Sequence, residues 1–252
     1  MRVIRSMFIA FSTYSRIPVP QVEWSDENRK YTMCFFPLIG AGIGLLLWGW
    51  LWLCAALAIG PVLRGAVGAL IPLLVTGGIH MDGFMDTSDA MASWQTKERR
   101  LEILKDSHVG AFAVIGCAGY LLLDAAVLSE ATLKNAAMLP FVFVLARALS
   151  AWTMAFFQSA RPNGMLDGFA QAAHKRMVTI SCLIYAFLCA GGWCVIGGWL
   201  GMACLAAAVL CVLYYKHMAT KNFGGVTGDL AGWFLQITEL VLTLVIVLGG
   251  KL

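Results

Sequence analysis

Seven apolar stretches set the strongest limit on how this chain folds, because each is near the ~20 residues that a helix needs to span a bilayer. They lie near residues 35–60, 65–80, 110–129, 136–157, 177–196, 199–215 and 232–250. The second is short and is interrupted by Pro72, Gly77 and Gly78, so a broken or re-entrant helix is the alternative there. The pattern predicts an all-α polytopic membrane bundle with about seven transmembrane helices, forming a single domain over residues 1–252.

The composition agrees with a membrane protein and argues against other classes. Charged residues make up 13% of the chain, against about 25% in a soluble domain, and the mean hydropathy is +0.78. The net charge of +4 comes without a basic run, which argues against nucleic-acid binding. The eight cysteines form no CxxC pair and no zinc spacing, which favours buried free thiols. The basic N-terminus lacks the apolar core of a signal peptide and is predicted to lie on the membrane surface as an amphipathic segment.

Lysines and arginines are distributed unequally between the two sides that the seven spans define. Only Arg64, Lys134 and Lys251 lie on the far side. Fourteen lie on the side of the N-terminus: Arg2, Arg5, Arg16, Arg29, Lys30, Lys97, Arg99, Arg100, Lys105, Arg161, Lys175, Arg176, Lys216 and Lys221. This bias predicts a cytoplasmic N-terminus. It also places the stretches HMDGFMDTSDA, KDSHVGA, ARPNGMLDG and NFGGVTGDL at cytoplasmic helix ends, where they are expected to converge on one site.

The stretch GGIHMDGFMDTSDA, residues 77–90, places Asp82, Asp86 and Asp89 at i, i+4 and i+7. A helix stacks such residues on one face, where like charges repel unless a cation lies among them. Carboxylate and phosphate oxygens are the ligands that Mg²⁺ prefers. The spacing therefore predicts Mg²⁺, as one ion or two, shared with a phosphate-bearing substrate. A solvated acidic loop is the alternative.

Two further groups are candidates for proton transfer and phosphate binding. His80 could act as a general base, although on a continuous helix it points away from the aspartates, and a histidine satisfied at the interface is the alternative. In KDSHVG, Lys105 and His108 could neutralise phosphate oxygens, and Asp106 could add a metal ligand. An amphipathic surface helix is the alternative interpretation of that segment.

A glycine-rich stretch, GGVTGD, follows the sixth span. Its glycines would let backbone N–H groups curl around an anion, while Thr227 could donate to a phosphate and Asp229 could reach a metal.

Arg147 lies in the middle of the fourth span and needs a partner there. Asp124 and Glu239 are the candidates, and a structural ion pair is favoured over a role in binding an anionic substrate.

Taken together, the motifs FSTYSRIPVP, HMDGFMDTSDA, LEILKDSHVGAFAVI and GGVTGD resemble, in order, those of the cobalamin synthase family, adenosylcobinamide-GDP ribazoletransferase. The resemblance runs from about residue 8 to about residue 230. It implies an integral membrane enzyme that uses Mg²⁺. With the charge bias, this predicts a protein of the bacterial cytoplasmic membrane with its active site facing the cytoplasm. Such an enzyme joins adenosylcobinamide-GDP to α-ribazole, or to its 5′-phosphate, and releases GMP. The implied partners are these substrates and the lipid bilayer, while a homo-oligomer and contacts with pathway enzymes stay open.

The resemblance and the residue chemistry together give three predicted sets of site residues. Met81, where many relatives carry an acid, and His108, where an arginine is frequent, depart from the family pattern and put the charge balance of the site in doubt. The predicted catalytic residues are His80, Asp82 and Lys105. The predicted substrate-binding residues are Ser107, His108, Gly224, Gly225, Thr227 and Gly228. The predicted metal ligands are Asp82, Asp86, Asp89, Asp106 and Asp229.

Two other functions fit parts of the pattern. A CDP-alcohol phosphotransferase or a prenyl phosphotransferase of the membrane would also place acids at a membrane face. The CDP-alcohol motif requires an alanine–arginine step and a later spacing of acids that are absent here. A prenyl enzyme requires a second acidic motif, which the second half of the chain lacks. A transporter would favour acids near the midplane and internal repeats. The sequence shows no repeat.

Overall fold

The computed structural model of the protein describes residues 2–161 and 165–251. Within these ranges the chain is helical and forms no strand, and one isolated parallel bridge joins Ser159 to Val226. The prediction of an all-α fold is confirmed. In chain order the helices are α1 (Arg2–Tyr14), α2 (Asp26–Arg29), α3 (Thr32–Ala56), α4 (Pro61–Thr76), α5 (Ile79–Ala92), α6 (Lys97–Ile103), α7 (Ala111–Ser129), α8 (Leu133–Ala136), α9 (Leu139–Phe156), α10 (Met165–Ala172), α11 (Lys175–Gly197), α12 (Trp199–Phe223) and α13 (Gly228–Gly249).

Six helical segments of the described chain are long and apolar enough to cross a membrane: α3, α7, α8 together with α9, α11, α12 and α13. The pair α4 and α5 would supply a seventh span if it crosses once. Six to seven spans confirm the predicted number. Most helix ends fall within a few residues of the predicted ends, whereas α12 continues to Phe223 instead of ending near 215. The cytoplasmic position of the N-terminus stays a prediction.

The second predicted span is broken, as its glycines indicated. Gly77 and Gly78 both adopt left-handed backbone conformations, with φ of 66° and 82°, which glycine reaches at little cost because it has no Cβ. The N–H of Gly78 donates to the carbonyl oxygen of Leu73 at 3.0 Å and closes the end of α4. α5 then leaves at 99° to α4. This turn carries the aspartates of α5 away from the axis of α4.

The segment formed by α8 and α9, together with α13, forms the centre of the bundle, because 67% and 72% of the residues in their most apolar stretches are buried. α3 packs closely on α9 because Gly40 and Gly44 face it: a Cβ on either glycine would overlap the backbone of Phe143 or Pro140. Small residues four apart are typical of closely packed membrane helices. This packing fixes α9, whose C-terminal end reaches the site described below.

The buried Arg147 of α9 is paired with Glu239 of α13. Its guanidinium also donates to the carbonyl oxygen of Phe143 at 3.2 Å and lies 5.8 Å from the centre of the Phe36 ring. Of the two candidate partners, the structure therefore selects Glu239 rather than Asp124. This pair joins the two central helices, in agreement with a structural role.

The N-terminal segment forms α1 and is amphipathic, as predicted. Arg2, Val3, Ile4 and Arg5 are exposed. This first turn is exposed on all sides, whereas the following turns bury one face, made of Ser6, Ile9, Ala10 and Tyr14. The Ser6 hydroxyl donates to the carbonyl oxygen of Asn28 at 2.6 Å. The last residue of α1, Tyr14, is buried and reaches the site.

Candidate active site

The acidic residues of the site are brought together where α5 packs against the start of α13. A Cβ at Gly83 would lie 2.7 Å from the carbonyl oxygen of Asp229 and 2.8 Å from its Cα. A Cβ at Gly232 would lie 3.0 Å from the carbonyl oxygen of His80. The two glycines therefore let the two backbones come into contact. This contact places Asp82 and Asp229 within electrostatic reach of each other.

A cavity of about 270 Å³ opens beside this contact. Its walls come from α1, α3, α5, α9, α10 and α13 and from the segment after α9, so parts of the chain more than 200 residues apart share it. The charged lining side chains are Asp82, Arg161 and Asp229, and the aromatic ones are Tyr14, Phe36 and Phe169. Three of the four polar stretches expected to converge contribute residues to the cavity, and KDSHVGA does not.

The carboxylates suit a hard divalent cation that is shared with a substrate. Asp86, one helical turn beyond Asp82, interacts electrostatically with Asp82, Asp89 and Asp229. Among the described residues, no three His, Cys, Asp or Glu side chains are close enough to hold a metal ion by themselves. Mg²⁺ is usually bound through one or two carboxylates, with water and substrate phosphates completing its shell. The oxygen donors of Asp82, Asp86 and Asp229 beside an open cavity fit such a shared site.

Asp89 has a structural role that the sequence analysis did not anticipate. It does not line the cavity. Its carboxylate accepts hydrogen bonds from the N–H groups of Gly110, at 2.7 Å, and Ala113, at 2.8 Å. These N–H groups lie at the start of α7, where no intrahelical acceptor exists. Each carboxylate oxygen keeps a further lone pair, so the predicted metal role of Asp89 stays a prediction beside this one. The contact also explains Gly110, because a Cβ there would overlap the carboxylate.

Arg161 is the site residue that the sequence analysis missed. One of its terminal nitrogens, Nη1, lies 3.7 Å from Oδ2 of Asp229, and Nη2 donates to the carbonyl oxygen of Leu101. Two backbone hydrogen bonds with Val226 fix the segment before it. The Ala160 N–H donates to the Val226 carbonyl oxygen at 2.9 Å, and the Val226 N–H donates to the Gln158 carbonyl oxygen at 2.8 Å. Among the described residues that line the cavity, Arg161 is the one cation. It belongs to the stretch ARPNGMLDG, which was expected to converge on the site, but no motif distinguishes this arginine from those that set topology.

The residues of the glycine-rich motif have two roles: some pack against other segments, and others line the cavity. Gly224 ends α12 with φ of 78°. Gly225 packs on the segment before Arg161, where a Cβ would lie 2.7 Å from the Ala160 nitrogen. Thr227 and Gly228 line the cavity. The Thr227 hydroxyl accepts from the N–H of Leu230 at 3.2 Å and so begins α13.

The second predicted motif lies outside the cavity. Lys105, Asp106, Ser107 and His108 are exposed and do not line it. Asp106 accepts from the backbone N–H of His108 at 3.0 Å, and its carboxylate lies 2.6 Å from the His108 ring nitrogen Nδ1. These hydrogen bonds hold the pKa of Asp106 below its ordinary value, and the bond from the backbone N–H contributes most. The roles predicted for these four residues therefore stay untested predictions, and the structure does not bring the residues to Asp82.

His80 lines the same cavity as Asp82, although a continuous helix was expected to point it away from the aspartates. Both residues lie in the first turn of α5, and the cavity extends around this end of the helix, with His80 facing α1 and α3. Its ring lies 6.2 Å from the Tyr14 ring and 5.6 Å from the Phe36 ring. Its Nε2 atom is buried without a hydrogen-bond partner.

Comparison with known proteins identifies the family of the chain. A family model described as cobalamin-5-phosphate synthase matches residues 6–247. The adenosylcobinamide-GDP ribazoletransferase of Lachnoclostridium phytofermentans is 46% identical over 249 residues, which cover 99% of this chain and 95% of the relative. Proteins of the same name from Geobacillus thermodenitrificans and Desulfitobacterium hafniense are 35% and 33% identical, covering 93% and 97% of this chain and 92% and 97% of those relatives. No solved structure gives a significant match.

These matches extend over nearly the whole chain. They confirm the predicted family and with it a transferase of cobalamin biosynthesis. The chain belongs to the cobalamin-5-phosphate synthase family.

Proposed function

We propose that this protein is an Mg²⁺-dependent adenosylcobinamide-GDP ribazoletransferase. A ribose hydroxyl of α-ribazole, or of its 5′-phosphate, attacks the phosphorus that carries the cobinamide. The bond from that phosphorus to the oxygen of GMP breaks, and adenosylcobalamin, or its phosphate, and GMP leave. The observation that carries this proposal is the meeting of Asp82, Asp229 and Arg161 at one cavity, in a chain whose relatives bear this enzyme's name.

Arg161 is suited to bind the diphosphate of the donor. Its Nη2 atom is held by the carbonyl oxygen of Leu101, whereas its Nη1 atom lies 3.7 Å from the Asp229 carboxylate. That distance is longer than a hydrogen bond, so Nη1 keeps donor capacity for a phosphate oxygen. A planar guanidinium binds phosphate oxygens through paired hydrogen bonds. The N–H groups at the start of α13, beside Gly228, add further donors where the helix dipole favours negative charge.

The carboxylates would hold the cation. Asp82, Asp86 and Asp229 would bind Mg²⁺ together with phosphate oxygens, and the ion would stabilise the negative charge of the departing GMP. The attacking hydroxyl must lose its proton, and His80 or one of the aspartates takes it. His80 and Asp82 both line the cavity, so either can reach a hydroxyl bound there.

The site is proposed to face the cytoplasm from the inner membrane. Fourteen of the lysines and arginines belong to segments on the side of the N-terminus, and that side is normally cytoplasmic. The cavity takes its charged lining from segments on that same side, namely the start of α5, the loop after α9 and the start of α13. A nucleotide-bearing donor would be available there.

An assay of the purified protein in detergent tests the proposal. Adenosylcobinamide-GDP and α-ribazole are supplied with Mg²⁺, or with a chelator in its place, and GMP is measured. We expect GMP release that needs both substrates and the cation. Release of CMP from a CDP-alcohol donor, or of diphosphate from a prenyl donor, in place of GMP would contradict the assignment.

A further inference from the structure

The motif FSTYSRIPVP contributes to the cavity and also places an arginine beside it. Thr13 and Tyr14 line the cavity at the end of α1, and Arg16 follows two residues later. The N–H of Arg16 donates to the carbonyl oxygen of Val75, in the last turn of α4, at 2.7 Å. This hydrogen bond attaches the end of α1 to α4, directly before the chain turns into α5.

The side chain of Arg16 lies against Gly77. A Cβ at Gly77 would overlap the Nε atom of Arg16 and would lie 2.9 Å from its Cγ. Gly77 also has a φ of 66°, so both the turn and the close approach of the arginine favour glycine there. Ile79, two residues beyond Gly77, lines the cavity. Arg16 therefore lies between two cavity-lining segments, one ending at Tyr14 and the other beginning at Ile79, and we call this position the rim of the cavity.

The charge of Arg16 is available to a ligand. Arg16 is exposed, and no acidic side chain of the described residues forms an ion pair with it. A guanidinium binds phosphate oxygens through paired hydrogen bonds. The rim is therefore suited to a phosphate group that projects from the cavity.

The residues proposed to react lie between the rim and Arg161. Arg16 lies directly before α5, and the first turn of α5 carries His80 and Asp82. Arg161 lies at the other end of this series, next to Asp229. The attacking and leaving oxygens of a phosphoryl transfer are roughly in line, on opposite sides of the phosphorus. With the diphosphate of the donor bound at Arg161, the acceptor therefore approaches from the side of Arg16.

The volume of the cavity also favours a phosphate at the rim. The cavity measures about 270 Å³, which is close to the lower end of the ~300–1,000 Å³ that small-molecule sites usually occupy. Part of a bound nucleotide must therefore extend outside it. A phosphate is the part whose burial is most costly, because it is charged. At the rim it stays in contact with water and meets the opposite charge of Arg16.

We propose that Arg16 binds the 5′-phosphate of the acceptor nucleotide and so sets a preference for α-ribazole 5′-phosphate over α-ribazole. The ribose extends from the rim toward His80 and Asp82, where its hydroxyl loses the proton. Arg16 acts by binding and takes no part in the bonds that form or break. The inference rests on the proposed function for the identity of the acceptor.

Two acceptors that differ only in the phosphate test the role of Arg16. GMP release in detergent gives the KM for α-ribazole 5′-phosphate, α-ribazole and adenosylcobinamide-GDP, and calorimetry without the donor gives the Kd of each acceptor. Arg16→Gln should raise the KM and the Kd for α-ribazole 5′-phosphate by about tenfold or more, because hydrogen bonds to a charged group are lost. The KM for α-ribazole and for the donor should change by less than about twofold. Arg16→Lys should be intermediate, since it keeps the charge without the planar pair of donors.

Arg5→Gln is the matched control, because Arg5 is another exposed arginine of α1. This variant should bind and turn over all three substrates like the wild type. It makes the same loss of one positive charge on the same side of the protein, so it separates a specific phosphate contact from a general effect of charge.

Three results would overturn the inference. They are equal effects of Arg16→Gln on the two acceptors, wild-type protein that binds α-ribazole as tightly as its 5′-phosphate, and a rise in the donor KM alone. Weaker binding of α-ribazole 5′-phosphate alone by Arg16→Gln, in a protein that releases no GMP, would support the phosphate site and contradict the proposed reaction. Normal GMP release by Arg16→Gln with an unaltered KM for both acceptors would contradict the phosphate site alone.

Discussion

Replacing Gly83 with alanine is expected to move the acids of α5 away from those of α13. The new Cβ would lie 2.7 Å from the Asp229 carbonyl oxygen and 2.8 Å from the Asp229 Cα. Non-bonded heavy atoms are most stable at about 3.5–4.0 Å. Both neighbours are backbone atoms, so no change of rotamer relieves the overlap. Relief requires one helix to shift by about 1 Å.

The expected effect on stability is small, while the effect on activity is large. Overpacking of this kind costs about 1–3 kcal/mol, and alanine is about 1 kcal/mol better than glycine inside a helix. The net loss of unfolding free energy is therefore about 0–2 kcal/mol. A displacement of about 1 Å at reacting groups lowers turnover by about a hundredfold. Gly83→Ala should fold and lose most of its GMP release.

Denaturant unfolding in detergent and the GMP assay measure the two effects on the same preparation. Gly49→Ala is the matched control, since Gly49 lies within α3 and a Cβ there would meet no atom within 4 Å. The control should retain full activity and be as stable as the wild type or slightly more stable. Wild-type GMP release by Gly83→Ala would refute the argument that contact between α5 and α13 positions the acids.

Arg161→Gln should raise the KM for adenosylcobinamide-GDP and slow GMP release, with Arg161→Lys intermediate because it keeps the charge without the planar pair of donors; an unchanged donor KM would contradict the phosphate-binding role. Arg147→Met and Glu239→Met should each cost about 3–5 kcal/mol of unfolding free energy, whereas the double variant should lose far less than the sum; additive losses would show that the two residues act separately. His108→Ala should raise the lowered pKa of Asp106 only part of the way to its ordinary value, because the backbone N–H that is the first cause of the lowering remains and only the side-chain hydrogen bond is lost, as measured by NMR titration of the carboxyl carbon. Because a lowered carboxyl pKa stabilises the fold above the unfolded pKa, this loop interaction should persist at neutral pH and be lost as the pH falls through the folded pKa; an unchanged Asp106 pKa in the variant would contradict it.

The spans could be predicted from the sequence because bilayer thickness and apolar length constrain them directly. The break at Gly77 and Gly78 was also predictable, since consecutive glycines allow left-handed conformations that end a helix. The acidic face of α5 followed from the spacing of its aspartates. These features depend on local sequence and on the period of the helix.

The arrangement of the site depends on contacts between distant segments, which spacing does not reveal. Arg161 reaches Asp229 only because the segment before it pairs with Val226. Asp89 binds the start of α7 at Gly110, which lies 21 residues later in the chain. The motif with Lys105 follows α6, which Arg161 contacts at Leu101, but the sequence cannot indicate that the motif stays outside the cavity.

The central claim is that Asp82 and Asp229 together hold the cation and the diphosphate ester. Its most direct test is GMP release from adenosylcobinamide-GDP by Asp82→Asn and Asp229→Asn at saturating Mg²⁺. Glu98→Gln, which changes an exposed acid on α6, is the control. Both aspartate variants should fold normally and lose about a hundredfold or more of the wild-type rate, while the control keeps it. Normal turnover by either aspartate variant would contradict the account.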